Sequence, residues 1–419
     1  MTEEYFAVSP KMAQLDAQVR ETITPALARV EQIKEENQLR MLQAFTGCRV
    51  AATHLFGSTG YGYDAAGREK LAEVFAAVTG SEAALVRPGF ASGTHALAVA
   101  LFGILRPGDV MLCASGTPYD TLHGVIGLGN AGAGGGCLAD FGIHYRQLEL
   151  LDGALDLAAI EQQAPGCRML YLQRSRGYTA RPALALADIK AAAAAAKRAN
   201  PGIAVVVDNC YGEFVEVREP TVCGADLIVG SLIKNPGGGI APTGGYIAGQ
   251  KGLVDLCAQR MTAPGVGAEV GSISGEVLRQ LYLGLYFAPA VTAEALKTGI
   301  YAGALLQALG CKVSPTWDEE RRDIITAIDT GNAQTLQAFC RAIQGTSPVD
   351  SHLAPVPAPM PGYDCEVIMA SGSFTQGSSI ELSCDGPMRP PYTAYLQGGL
   401  NFAAGRAAVL CAAQAAFGG

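Results

Sequence analysis

The chain has 419 residues, a net charge of -8, 49% apolar side chains and only 16% charged ones. That length exceeds one ordinary core, the apolar weight argues against a disordered or fibrous chain, and the acidic balance argues against a nucleic-acid partner, which needs a basic face. The twelve cysteines lie singly with no C-x-x-C pair, so no metal site is expected, and free thiols in a reducing cytoplasm account for them. Glu3 and Glu4 stand where a secretory leader would be basic, and Gly and Pro interrupt the long uncharged tracts, so a cytoplasmic protein with no membrane span is expected.

In chain order, residues 11–44 carry Leu15, Val19, Ile23, Val30 and Ile33 at helical spacings, with Pro25 expected to break the segment. A glycine-rich loop, 57–62, follows; Tyr61 and Tyr63 stand on or beside it, and Arg68 comes just before a helix over 71–77. Residues 84–87 read as a strand leading to Ser92-Gly93-Thr94 and a helix over 96–105. Two hydroxyls and the free N–H groups of a helix start make a phosphate cup, although a serine N-cap is also ordinary capping. Strands are expected at 110–114, ending near Tyr119, and at 145–150 and 169–173. The last of these runs into a loop that carries Arg174 and Arg176. The glycine cluster 127–136 has neither a preceding strand nor a following Gly-Lys-Ser/Thr, so it reads as a loop rather than a nucleotide site. An alanine-rich helix over 183–199 precedes the next strand, and this alternation indicates an α/β, doubly wound, mostly parallel sheet.

The stretch that organises the chain is 205–239. The apolar run 204–207 ends in Asp208, as a buried parallel strand ends at the carboxyl edge where open α/β sheets hold ligands. A second run, 227–229, ends in Gly230-Ser231, and Lys234 follows among small residues. One lysine, one acidic strand end and a surround of Gly, Ser and Asn suit pyridoxal phosphate: the lysine forms the Schiff base and the carboxylate holds the pyridinium nitrogen. Beyond a strand at 246–248 and helices over 272–309, a smaller α+β region is expected. Its strands are placed at 323–328, 366–370 and 379–383, its helix at 335–343, and a proline-rich linker at 347–363. The resulting division is a helical arm (1–52), a large cofactor-binding domain (53–290) and a small C-terminal domain (291–419).

The strings GSTGYGYDAAGREKL, LVRPGFASGTHALA, GTPYDTL, QRSRGY, VDNCYGEFVE, GSLIKNPGGGIAPTGGYIAG, MPGY and GSSIELSCDGPMRPPY occur in that order. By them the chain resembles the methionine gamma-lyase-like carbon–sulfur lyases, also called the aluminium-resistance protein family. These are fold-type-I enzymes with the pyridoxal-phosphate-dependent transferase fold. The resemblance implies Lys234 as the Schiff-base lysine and Cα base, Asp208 at the pyridine nitrogen, and Ser92, Gly93, Thr94 and Ser231 at the phosphate. It implies Tyr119 stacked on the ring as a possible acid, and Tyr61 reaching a neighbouring subunit's phosphate, hence a homodimer or homotetramer. Two positions depart from the transsulfuration enzymes. Tyr63 replaces an arginine, with Arg68 as a possible substitute. Glu381 stands where an arginine grips the substrate carboxylate, which leaves Arg389 as the candidate for that clamp, while Arg174 on its loop is a candidate to face substrate. The expected activity is elimination of a thiol from a sulfur-containing L-amino acid. Another reaction of the same cofactor, or cofactor binding without turnover, remains the alternative.

Overall fold

The computed structural model describes residues 2–129, 131–360, 363 and 365–418. Seven strands form the larger sheet: β1 (Ala83–Arg87), β2 (Val110–Cys113), β3 (His144–Gln147), β4 (Met169–Gln173), β5 (Ala204–Asp208), β6 (Leu227–Ser231) and β7 (Gly245–Gly249), in the order β1-β7-β6-β5-β4-β2-β3. The five strands from β3 to β6 run parallel, while β7 is antiparallel to both its neighbours. The sheet is thus mixed, and every residue of β4, β5, β6 and β7 is buried.

Continuous apolar runs are needed because both faces are covered. Val205 and Val207 of β5 join one core with the helices Ala66–Thr79 and Leu186–Ala199, and Ala204 and Val206 join another with Gly93–Ile104 and Lys251–Met261. The strand's two-residue period therefore feeds two apolar layers with one sequence run. This doubly wound sheet with helices on both faces, followed by a smaller sheet region, is the fold-type-I architecture of pyridoxal-phosphate-dependent enzymes.

The smaller sheet is antiparallel: β8 (Val313–Ser314), β9 (Ile325–Asp329), β10 (Val367–Ala370), β11 (Ser383–Pro387) and β12 (Thr393–Gln397), ordered β10-β11-β12-β9-β8. Two expectations are corrected here. The strand read over 379–383 begins at Ser383, because Leu382 takes a φ of +133° that no regular strand adopts. The strand read over 323–328 begins at Ile325, because the Asp323 carboxylate accepts from the Ile325 N–H and caps the strand's start.

The helical arm is two helices, Pro10–Thr22 and Thr24–Gly47, with Pro25 in the first turn of the second, where its missing N–H costs nothing. Met12, Val19, Ile23, Ala26 and Val30 pack into the small-sheet core, and Met41 and Ala44 into the large-sheet core. A 34-residue helix, Gly275–Ala308, crosses between them: Leu278, Leu281 and Leu285 join the large core, Leu296, Leu305 and Leu306 the small one. Among the described residues no helix is long and apolar enough to cross a membrane. The glycine cluster is a run of turns after a short helix, with Asn130 outside the described residues. Pro361 and Gly362 of the proline-rich segment also lie outside them.

Candidate active site

The carboxyl ends of β4, β5 and β6 open into one cavity of about 220 Å³, lined by Ser92, Gly93, Thr94, Tyr119, Asp208, Ser231 and Lys234 among others. Seven residues singled out in the sequence, from four separate stretches of chain, therefore meet in one place. Each arrives by an ordinary local device. Asp208 is the last residue of β5, Ser231 the last of β6, and Lys234 stands directly before the tight turn Asn235–Gly237. Ser92 is the N-cap of Gly93–Ile104, its Oγ accepting from the His95 N–H at 3.0 Å, and the Thr94 hydroxyl shares a hydrogen bond of 2.8 Å with Thr121. The first N–H groups of a helix have no partner within it, and they face this cavity. A Cβ at Gly93 would stand in van der Waals contact with Ser231, at 3.4 Å, so this helix start lies directly against the end of β6.

The site pairs opposite charges out of water. Burial pushes the Asp208 carboxyl above its ordinary range, while the Lys234 ammonium and a 3.1 Å hydrogen bond from the Cys210 N–H work against that rise. Burial acts to lower Lys234, but the facing Cys210, Tyr211 and Asp208 groups outweigh it and hold the amine above its usual range. The Lys234 Nζ also stands 4.0 Å over the Tyr211 ring. The phenol of Tyr119 is raised well above a free tyrosine, chiefly by burial and then by Tyr211 and Tyr363, and it shares a hydrogen bond with the Tyr363 hydroxyl. Behind Lys234, the Glu213 carboxyl is pushed up to about 8 by burial, against a 2.7 Å hydrogen bond from Tyr246, while Asn235 donates to the Glu213 carbonyl at 3.0 Å.

The structure does not bring the other expected residues into this cavity. Arg68 is only 1% exposed. It donates to the carbonyls of Gly62 and Gly271 at 2.8 Å and of Glu269 at 3.3 Å, so the guanidinium fixes the loop rather than facing a ligand. Arg174, fully buried, pairs with Glu216 at 2.7 Å and Glu219 at 3.8 Å and donates to Asn209 and the Gly212 carbonyl, all away from the cavity. Arg389 lines a neighbouring cavity, under the small sheet. Glu381, where a carboxylate-gripping arginine was looked for, instead accepts from the N–H groups of Phe374 and Thr375, both at 2.8 Å. Tyr61 and Tyr63 are 73% and 63% exposed, with rings 5.6 Å apart on the loop that Arg68 holds.

Sequence reasoning missed Gln173, Tyr211, Tyr178 and Tyr363. Gln173 ends β4, accepts from the Tyr119 N–H at 2.6 Å and donates to the Ser175 carbonyl at 3.0 Å. Tyr211, close after an acidic strand end, carried the same signal that singled out Tyr119. Tyr363 carried none, because it reaches Tyr119 across 244 positions of chain.

A buried lysine opposed to a strand-end carboxylate, beside a hydroxyl-rich helix start, on this sheet, defines the fold-type-I class. Comparison with known proteins narrows it. The methionine gamma-lyase family profile matches residues 12–417, and the chain belongs to that family. It is 47% identical to protein YnbB of Bacillus subtilis over 375 residues, 89% of each chain. It superposes with a TM-score of 0.93 on a carbon–sulfur lyase involved in aluminium resistance from Clostridium novyi, at 45% identity, covering 97% of this chain and 96% of that one. The pyridoxal-5'-phosphate-dependent protein YhfS of Escherichia coli shares the fold at a TM-score of 0.60 and 17% identity, over 92% of this chain and 95% of that one.

Proposed function

We propose that the chain is a pyridoxal-phosphate-dependent carbon–sulfur lyase that eliminates a thiol from a sulfur-containing L-amino acid. The supporting observation is the meeting of Lys234, Asp208 and the Ser92-Gly93-Thr94 helix start in one cavity. These residues fit the group. The Lys234 amine would hold the aldehyde, the helix N–H groups with Ser92, Thr94 and Ser231 would hold the phosphate, and the Asp208 carboxylate would pair with the ring nitrogen. When bound, the cofactor supplies an electron sink for the negative charge left at the substrate Cα.

The chain's own residues do the rest. Lys234 would hold and move the Cα proton of the substrate. Tyr119, kept protonated by its burial, offers its hydroxyl proton to the departing sulfur. Tyr211 and Gln173 set the positions of these two groups, the first under the lysine Nζ and the second through the Tyr119 N–H. Tyr61 and Tyr63, exposed on a loop held from within by Arg68, would complete the phosphate site of a second subunit in a homodimer or homotetramer. In this reading 1–52 is the arm, 53–290 the cofactor-binding domain and 291–419 the small domain, and the enzyme works in the cytoplasm.

The test is spectroscopic and chemical. The purified chain with pyridoxal phosphate should absorb near the blue edge of the visible, lose that band on Lys234→Ala, and release a thiol from cystathionine or methionine. Aldol cleavage of threonine without thiol release would favour the other chemistry of the same cofactor. A chromophore with no turnover at all would leave only a binding protein.

A further inference from the structure

The loop after β4 serves two cavities. Gln173, Ser175 and Gly177 line the one holding Lys234, whereas Arg176 and Tyr178 line a second, of about 380 Å³, under the small sheet. The Tyr119 and Tyr178 rings, 5.9 Å apart and edge to face, are part of the wall between them. Arg176 is 2% exposed; among the described residues its guanidinium makes one side-chain hydrogen bond, 3.1 Å to the Ser314 hydroxyl, and its buried Nε and Nη1 have no partner. Buried guanidinium donors without acceptors are costly, and a planar fork with unfilled donors matches a carboxylate. Among the described residues, Lys312 and one carboxylate, Asp329, also line this cavity. Arg176 also borders a third cavity, but there Glu319, Glu320 and Asp323 outnumber it and Arg322. An anion is therefore favoured on the Tyr178 side. Burial raises the Tyr395 phenol on that side, and Arg176 and then the Thr393 hydroxyl act against the rise.

We propose that this second cavity is a binding site for a small organic carboxylate, with Arg176 as its anchor and Lys312 at its edge. The ligand is the distal carboxylate of a substrate or a free carboxylic acid, and in either case the site stands apart from the cofactor residues. Calorimetric titration of the full chain with glutarate as the probe is expected to show binding. Binding should weaken about tenfold or more in Arg176→Gln, with partial recovery in Arg176→Lys, which keeps the charge and loses the fork. Lys312 is exposed, so Lys312→Glu tests the same field without disturbing the fold and should weaken binding several-fold. In the cofactor-loaded chain, glutarate that competes with the spectral change caused by L-glutamate assigns the site to a substrate carboxylate; glutarate that binds without competing assigns it to a free acid. Glutarate held equally by the unaltered chain, Arg176→Gln and Lys312→Glu, or not bound at all, overturns the proposal. The titration needs no chromophore, so a colourless chain that binds glutarate through Arg176 would refute the lyase reading alone.

Discussion

Asp208 and Asp385 are the same group at almost the same burial, 6% and 4% exposed, and they meet opposite surroundings. Asp208 ends a parallel strand and faces the Lys234 ammonium. Asp385 sits within β11 and has only hydrogen-bond donors: the Tyr178 hydroxyl at 2.7 Å and the Gln397 amide at 2.8 Å, with its Oδ1 unpartnered. Burial raises both, and Asp385 is pushed up to about 6. A buried carboxylate with a facing cation is a charged tool, whereas one met only by neutral donors becomes a holder of neighbouring groups, here the Tyr178 ring beside Tyr119.

The sharpest way to break this contrast is Asp208→Asn, which keeps the shape and removes the charge. Turnover of the loaded enzyme is expected to fall about a thousandfold while the fold persists, measured by thiol release and circular dichroism. Next comes Arg174→Ala, the arginine that proved structural. It leaves Glu219 buried with only Arg40, 4.0 Å away, as its cation and should cost about 3–5 kcal/mol in urea unfolding, with the cofactor band unchanged in the folded fraction. Tyr119→Phe removes the hydroxyl and keeps the ring. A loss of about a hundredfold in thiol release with normal cofactor binding is expected, and unchanged thiol release would mean the ring alone matters.

The smallest effect concerns Asp385. Its carboxyl in the folded chain titrates above the ordinary 3.8, so the folded state binds the proton more tightly than the unfolded one. The stability from this group is complete below about pH 4 and is lost as pH rises through about 6. Asp385→Asn should flatten that slope, a change of about 2 kcal/mol across the window in urea unfolding followed at each pH. A slope left unchanged would show that Asp385 keeps its ordinary affinity for protons.

Much of the cofactor half of the site was legible because it rests on local rules. An apolar run ending in Asp208, a lysine after a second run, and Ser-Gly-Thr before a helix each announce themselves within a few residues. The substrate half was not. Arg174 and Arg176 are two residues apart in QRSRGY and identical as letters, yet one is consumed by Glu216 and Glu219 and the other keeps two unpartnered donors. Arg68 likewise became a clasp for the loop that ends at Gly62, where a φ of +66° and the Ser272 N, 2.9 Å from any added Cβ, require glycine.

The sequence by itself determined the buried sheet, the carboxylate and lysine at its edge, the helix start beside them and the family to which they belong. Burial of a strand on both faces forces a long apolar run, and its end is marked by the first charge. Only the tertiary structure decided which arginine is satisfied, which tyrosine meets Tyr119, and which N–H groups Glu381 holds. Those outcomes depend on partners separated by tens to hundreds of residues, and a hydrogen bond leaves no periodic mark on the chain that makes it.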